Sequence, residues 1–130
     1  MNRLRSFGRS LGLAMSAVAL SACGADVACL QLPCAFPLAL IITLTNAATG
    51  GTVQDAVVQI AGPMTETVPC GGSPTRCMVS GYAGTYNLDI SAPGFQTAKR
   101  TVTVEGSAPA ACGCGTTTTA HVDVALVAAP

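Results

Sequence analysis

Seven cysteines and one histidine carry most of the reactive capacity of this 130-residue chain. His121 is followed by Asp123. In an extended strand the two project from one face, about 7 Å apart at the backbone. A Ser or Thr from a neighbouring strand would then complete the nucleophile, base and orienting acid of a hydrolase. A solvated His/Asp pair on the polar face of a sheet has the same pattern, and the rest of the chain favours that plainer reading. Asp55, Asp89 and Asp123 fall at polar positions of strands or turns, not as the converging pair a glycosidase needs. Gly71-Gly72 precedes no helix, so a phosphate loop is unsupported. The expectation is a chain with no catalytic residue and no cofactor, and not an enzyme.

The cysteines are Cys23, Cys29, Cys34, Cys70, Cys77, Cys112 and Cys114. Three short spacings occur, Cys29-x₄-Cys34, Cys70-x₆-Cys77 and Cys112-x-Cys114. They do not form the paired knuckles of structural zinc, and His121 has no second His near it. No metal ligand set is therefore expected. A redox site would want Cys-x-x-Cys beside a helix, and neither is present.

Cys23 stands apart. Arg3, Arg5 and Arg9 precede the apolar run Leu11–Leu20, which is shorter than the ~20 residues a stable membrane anchor needs. This is the pattern of a cleaved secretory signal. Its end, Leu20-Ser21-Ala22-Cys23, resembles the bacterial lipobox. The resemblance implies cleavage between Ala22 and Cys23 and acyl chains such as palmitate on the Cys23 sulfur and amine. Several chains make a firm anchor, at about 0.8 kcal/mol per buried CH₂. Gly24 follows where an Asp would signal inner-membrane retention, so the same resemblance implies the outer membrane, facing the periplasm or the cell surface.

Six cysteines then remain, an even number in a small exported domain, which reads as disulfides. A Cys112–Cys114 bond would close a strained ring across Gly113, so each is expected to find a distant partner. Cys70 and Cys77 flank the turn-rich Gly-Gly-Ser-Pro-Thr-Arg and can meet locally. Cys29 and Cys34 are left for Cys112 and Cys114, in an order the sequence leaves open.

The mature part alternates in steps of two. Leu40, Ile42 and Leu44 share one face of a strand over residues 36–45. Ala56, Val58 and Ile60 repeat the pattern, and Gly62-Pro63 ends it. Weaker strands are predicted over Glu66–Val68 and Arg76–Val79. Tyr86, Leu88 and Ile90 point inward from a strand beginning at Gly84. Val102 and Val104 do so from a strand over residues 95–104, and Val122, Val124 and Leu126 from one over residues 118–127. Ser107–Gly115 reads as a loop rich in Pro, Gly and Cys, with Thr116–Thr119 leading into the last strand. No ten-residue stretch shows helix caps and a 3.6 period. The predicted fold is all-β, an antiparallel two-sheet β-sandwich of about seven strands. It follows a signal peptide over residues 1–22 and a lipid-anchored tether over 23–36, and occupies 37–130.

Two motifs in this region resemble carboxypeptidase regulatory-like domains. Ala48-Thr49-Gly50-Gly51-Thr52-Val53-Gln54-Asp55-Ala56-Val57-Val58 resembles their opening, and Gly84-Thr85-Tyr86-Asn87-Leu88-Asp89-Ile90-Ser91-Ala92-Pro93-Gly94-Phe95 resembles their "G-x-Y-x-L-x-V-x-A-P-G-Y/F" core. The resemblance spans residues 38–127 and implies a transthyretin-like sandwich of seven strands, an accessory module without shared catalytic residues. In it Gly50 and Gly94 serve turns, and Tyr86 anchors the core with its hydroxyl at an edge. The usual Pro after Thr49-Gly50 is missing here, and the segment bounded by Cys70 and Cys77 is an addition.

Removing residues 1–22 leaves Arg76, Lys99 and Arg100 against six carboxylates, and three less six gives a side-chain net of −3. Nucleic acid is excluded as a partner because no cation cluster exists to displace counterions. There is no Trp, so a sugar-stacking platform is poorly equipped, and Tyr82 in Ser80-Gly81-Tyr82-Ala83-Gly84 is the best exposed aromatic. The expected role is a non-catalytic envelope module, structural or protein-binding, held to the membrane by its lipid. The alternative is a carbohydrate- or peptide-binding module that uses Tyr82 and neighbouring loops.

Overall fold

The computed structural model describes residues 34–110 and 112–130, and every regular element among them is a β-strand. The strands are β1 (Leu38–Asn46), β2 (Val57–Ala61), β3 (Glu66–Pro69), β4 (Thr75–Ser80) and β5 (Gly84–Ser91). They continue with β6 (Ala98–Val104), β7 (Gly106–Ser107), β8 (Thr116–Thr117) and β9 (Ala120–Leu126). Three strands form one sheet in the order β4-β1-β9, and four form another in the order β3-β2-β5-β6. β7 and β8 pair separately as a small ribbon.

The alternation in the sequence explains which side of each strand is dry. Leu40, Ile42 and Leu44 of β1, Val79 of β4 and Val124 and Leu126 of β9 are buried from one sheet. Val58 and Ile60 of β2 and Tyr86, Leu88 and Ile90 of β5 meet them from the other, and all belong to one cluster. Full burial of each such side chain is worth roughly 1.5–3 kcal/mol. A bulge interrupts the β1–β4 ladder between Leu38 and Leu40. This lets the consecutive residues Ala39 and Leu40 both be buried, against the period of two.

One part of the expected architecture is overturned. The sheets are not antiparallel throughout, because β9 lies parallel to β1, from Leu40 beside Ala120 to Asn46 beside Leu126. Alternation reports which face of a strand is buried, not which way the strand runs. Direction is set by the connection, and here Cys34 and Cys114, each just ahead of one of these strands, are bonded to each other. The bond is compatible with this direction, since it joins the segments that lead into both strands.

Smaller differences have local causes. Nine strands form among the described residues where about seven were expected, because part of the presumed loop before the last strand is itself paired: Ser107 N–H donates to Thr116 Oγ1 and Thr116 N–H to Ser107 Oγ, each at 3.1 Å. Thr116 and Thr117 therefore form a strand of their own, not a lead-in. β6 starts at Ala98, not Phe95, because Phe95 N–H turns back to Ala92 O at 3.1 Å and Gln96 N–H goes to Val127 O at 2.8 Å. β9 is shorter at its start because Thr118 N–H donates to Glu105 O at 2.9 Å. The turns at Gly50 and Gly94 have φ of +70° and +82°, which glycine adopts without steric cost.

The connection between β1 and β2 is fixed by one hydroxyl. Thr75 Oγ1 accepts from Val53 N–H at 2.9 Å and donates to Val53 O at 3.1 Å, and Thr75 is only 1% exposed. Replacing it by valine keeps the shape but leaves two buried backbone groups unpaired, at about 1–3 kcal/mol each. Thr75→Val is expected to lower the unfolding free energy by about 2–4 kcal/mol in urea denaturation. Thr43→Val, on the solvent side of β1, should change it by under about 0.5 kcal/mol.

Candidate functional site

The reactive sulfurs are all in use among the described residues. Cys70 bonds Cys77 across a separation of 7 residues, with a Cα–Cα distance of 4.3 Å. Gly71 and Arg76 exchange backbone hydrogen bonds at 2.9 and 2.8 Å just inside that bridge, which makes the local pairing of these two cysteines a hairpin closure. Cys34 bonds Cys114 across 80 residues, with Cα–Cα at 5.4 Å. Cys112 is disulfide-bonded as well. Ala22, Cys23 and Cys29 lie outside the described residues.

The aromatic candidate is more complex than its sequence suggested. The Tyr82 ring is half-buried and packs, tilted by 48°, on Phe36 with centroids 5.1 Å apart. Phe36 itself is 55% exposed. The backbone of the same tyrosine is held from below, since the buried Tyr86 hydroxyl donates to Tyr82 O at 2.6 Å. Gly81 N–H donates to Pro37 O at 2.8 Å. A Cβ at Gly81 would collide with the Tyr86 hydroxyl, so the glycine is what lets the Tyr82 turn close over β5. The result is a small, rigid aromatic knob where the chain enters β1. Phe36 was not singled out by the sequence, because its pairing with Tyr82 spans 46 positions.

No family model matches the chain, and no curated protein matches it in sequence.

His121 and Asp123 are exposed on the outer side of β9. The β1 residue beside His121 is Ile41, and the one beside Asp123 is Thr43. The hydroxyl a triad would need is therefore not the direct neighbour of the imidazole. Across β4, Arg76 sits in the same row as Thr43 and Asp123. On the other sheet, Lys99 Nζ meets Asp89 Oδ1 at 3.1 Å, and Thr101 Oγ1 donates to Asn87 Oδ1 at 3.0 Å. These residues, with Leu88 and Arg100, line an open hollow of ≈ 380 Å³. It was invisible in the sequence because it depends on the β5–β6 register. Its ion pair is solvated on both sides, and such pairs contribute about 0–1 kcal/mol.

Burial holds the Tyr86 phenol above the ordinary tyrosine pKa of about 10, and the Glu66 carboxylate adds to the rise. Below pH ~10 both folded and unfolded chains keep this proton, so its contribution to stability is complete. As pH climbs past that value the unfolded chain ionises first, and stability falls. Tyr86→Phe is expected to cost about 1 kcal/mol near pH 7 through the lost hydrogen bond. It should also flatten the decline above pH ~10, as read by urea denaturation at successive pH values.

Proposed function

We propose that the chain is a non-catalytic module of a bacterial cell envelope, anchored through lipid on Cys23, with a structural or protein-binding role. The observation that carries this is the Cys34–Cys114 bond, which spans nearly the whole described domain. Such a bridge persists in oxidising compartments and is rare in the cytosol. The lipobox-like Leu20-Ser21-Ala22-Cys23 supports the route by which the chain would reach one. With Cys23 acylated, Cys29 is the cysteine left to bond Cys112.

The all-β arrangement, the positive φ at Gly50 and Gly94 and the buried Tyr86 support a carboxypeptidase regulatory-like domain as the folded part. Under this reading the outer-membrane lipid is one partner and an envelope protein the other.

A second reading, sugar or peptide binding, rests on the Phe36–Tyr82 knob alone. Tyr82→Ala should abolish binding on a glycan or peptide array if that reading holds and change nothing if it does not.

The anchor is tested by the intact mass of protein extracted from membranes. The expected species starts at Cys23, carries acyl chains and has no titratable thiol. Cys23→Ser should leave the chain out of the lipid-anchored fraction. A mature chain that starts elsewhere, or carries no acyl group, overturns the anchor.

A further inference from the structure

The end of the sandwich from which β1 starts is built of apolar turns. Phe36 and Pro37 lead into β1, Tyr82 and Ala83 connect β4 to β5, and Pro63 and Met64 connect β2 to β3. Close contacts gather these turns into one surface. The Phe36 and Tyr82 rings meet with centroids 5.1 Å apart. The Met64 sulfur stands 3.3 Å from where a Cβ on Gly81 would be, and the Pro63 ring fills the space a Cβ would take on Gly84. No Asp, Glu, Lys or Arg occurs in residues 34–38, 61–65 or 80–84. Phe36 is 55% exposed, Pro63 is exposed, and Met64 and Tyr82 are half-buried. Beneath them the Tyr86 hydroxyl, bonded to Tyr82 O, closes the core.

The chain arrives from Cys23 at this same end. Cys34 stands two residues before Phe36, and the eleven Cα steps from Cys23 to Cys34 span at most about 40 Å. A Cys29–Cys112 bond cuts the free length to six steps, about 20 Å. With acyl chains on Cys23, the turns then meet the lipid surface at a roughly millimolar effective concentration. An apolar contact too small to hold a free protein is enough under that condition.

We propose that this end of the sandwich seats in the interface of the bilayer that holds Cys23, with Phe36, Tyr82 and Met64 at headgroup depth. The seating rests on the lipid anchor described above. Tyrosine suits that depth, because its ring is apolar and its hydroxyl wet. Phe36 and Met64 supply apolar area beside it. Charge takes no part. The acids that border this end are Glu66, at the start of β3, and Glu105, just after β6. The described cations, Arg76, Lys99 and Arg100, lie within β4 and β6. A zwitterionic surface is therefore sufficient. The opposite end holds Asp55 in the β1–β2 connection and Val127 after β9, and Val127 is exposed to a similar degree, 54%.

The chain has no Trp, so one introduced Trp reports its own surroundings. The test places the full acylated chain on phosphatidylcholine vesicles with brominated lipid and compares Phe36→Trp with Val127→Trp. Quenching at position 36 should exceed that at position 127 by at least about threefold. The difference should persist at about 1 M salt, where exposed charges act over only ~3 Å. An unchanged circular-dichroism sheet signal confirms folding. If Phe36→Trp loses that signal, Tyr82→Trp, on the other ring of the pair, carries the same expectation. Equal quenching at the two ends, or none at position 36 on vesicles that carry the chain through flotation, overturns the seating and leaves the anchor standing. Loss of the difference in salt overturns it too. A chain that does not float with the vesicles overturns the anchor and the seating together. A surface reserved for a protein partner gives no quenching on these protein-free vesicles, which is one of the overturning results.

Discussion

The Cys34–Cys114 bond is the longest-range covalent constraint among the described residues. It joins the chain just ahead of β1 to the chain just ahead of β9, across 80 residues. Closing a loop of that length removes about 4 kcal/mol of conformational entropy from the unfolded chain. The bond ties together the segments that lead into two neighbouring strands, and those strands run parallel, so β9 joins β1 in an otherwise antiparallel sheet. Parallel neighbours normally need a long crossover. Here the whole second sheet, with the β7–β8 ribbon after it, serves as that connection.

The sequence made the faces of the strands legible because burial and alternation are local. Leu40, Ile42 and Leu44, or Tyr86, Leu88 and Ile90, announce a buried side whatever the partner strand is. Even the weaker strands at Glu66 and Arg76 could be placed from short patterns bounded by turns. Direction and neighbourhood are not local. The expected tie between the Cys29/Cys34 pair and the Cys112/Cys114 pair already held the information that β1 and β9 start together. An all-antiparallel sandwich does not follow from it. Strand ends were misplaced where a backbone group is committed outside its ladder, as at Gln96, Thr118 and Val127. No residue type signals such a commitment.

The candidate site was legible in a different proportion. Tyr82 was identifiable because an aromatic residue in a glycine-rich turn has little core to enter. Its partners Phe36 and Tyr86 were not, since one arrives from before β1 and the other contributes a hydroxyl from below. The same holds for the hollow beside Asn87 and Lys99, which exists only because Asp89 and Lys99 occupy facing positions in the β5–β6 ladder. Pairwise geometry across a sheet is fixed by register. A one-residue slip would send these side chains into the core.

A domain held by disulfides and a continuous apolar core needs few surface interactions for its stability, and this one has a single described ion pair, with side chains 78% and 46% exposed. Its charges are too sparse and too solvated to steer a ligand strongly. Among the described residues the one ring–ring contact is that of Phe36 with Tyr82, just ahead of β1. The two larger sheets are instead joined through the backbone at the β6–β9 side, where Gln96, Gly94 and Glu105 bond Val127, Ala129 and Thr118. β9 is held along its length by the β1 ladder, at its end by Ala47 N–H on Leu126 O, and on its other side by Gln96 N–H on Val127 O and Thr118 N–H on Glu105 O, so both of its sides are engaged at the strand ends.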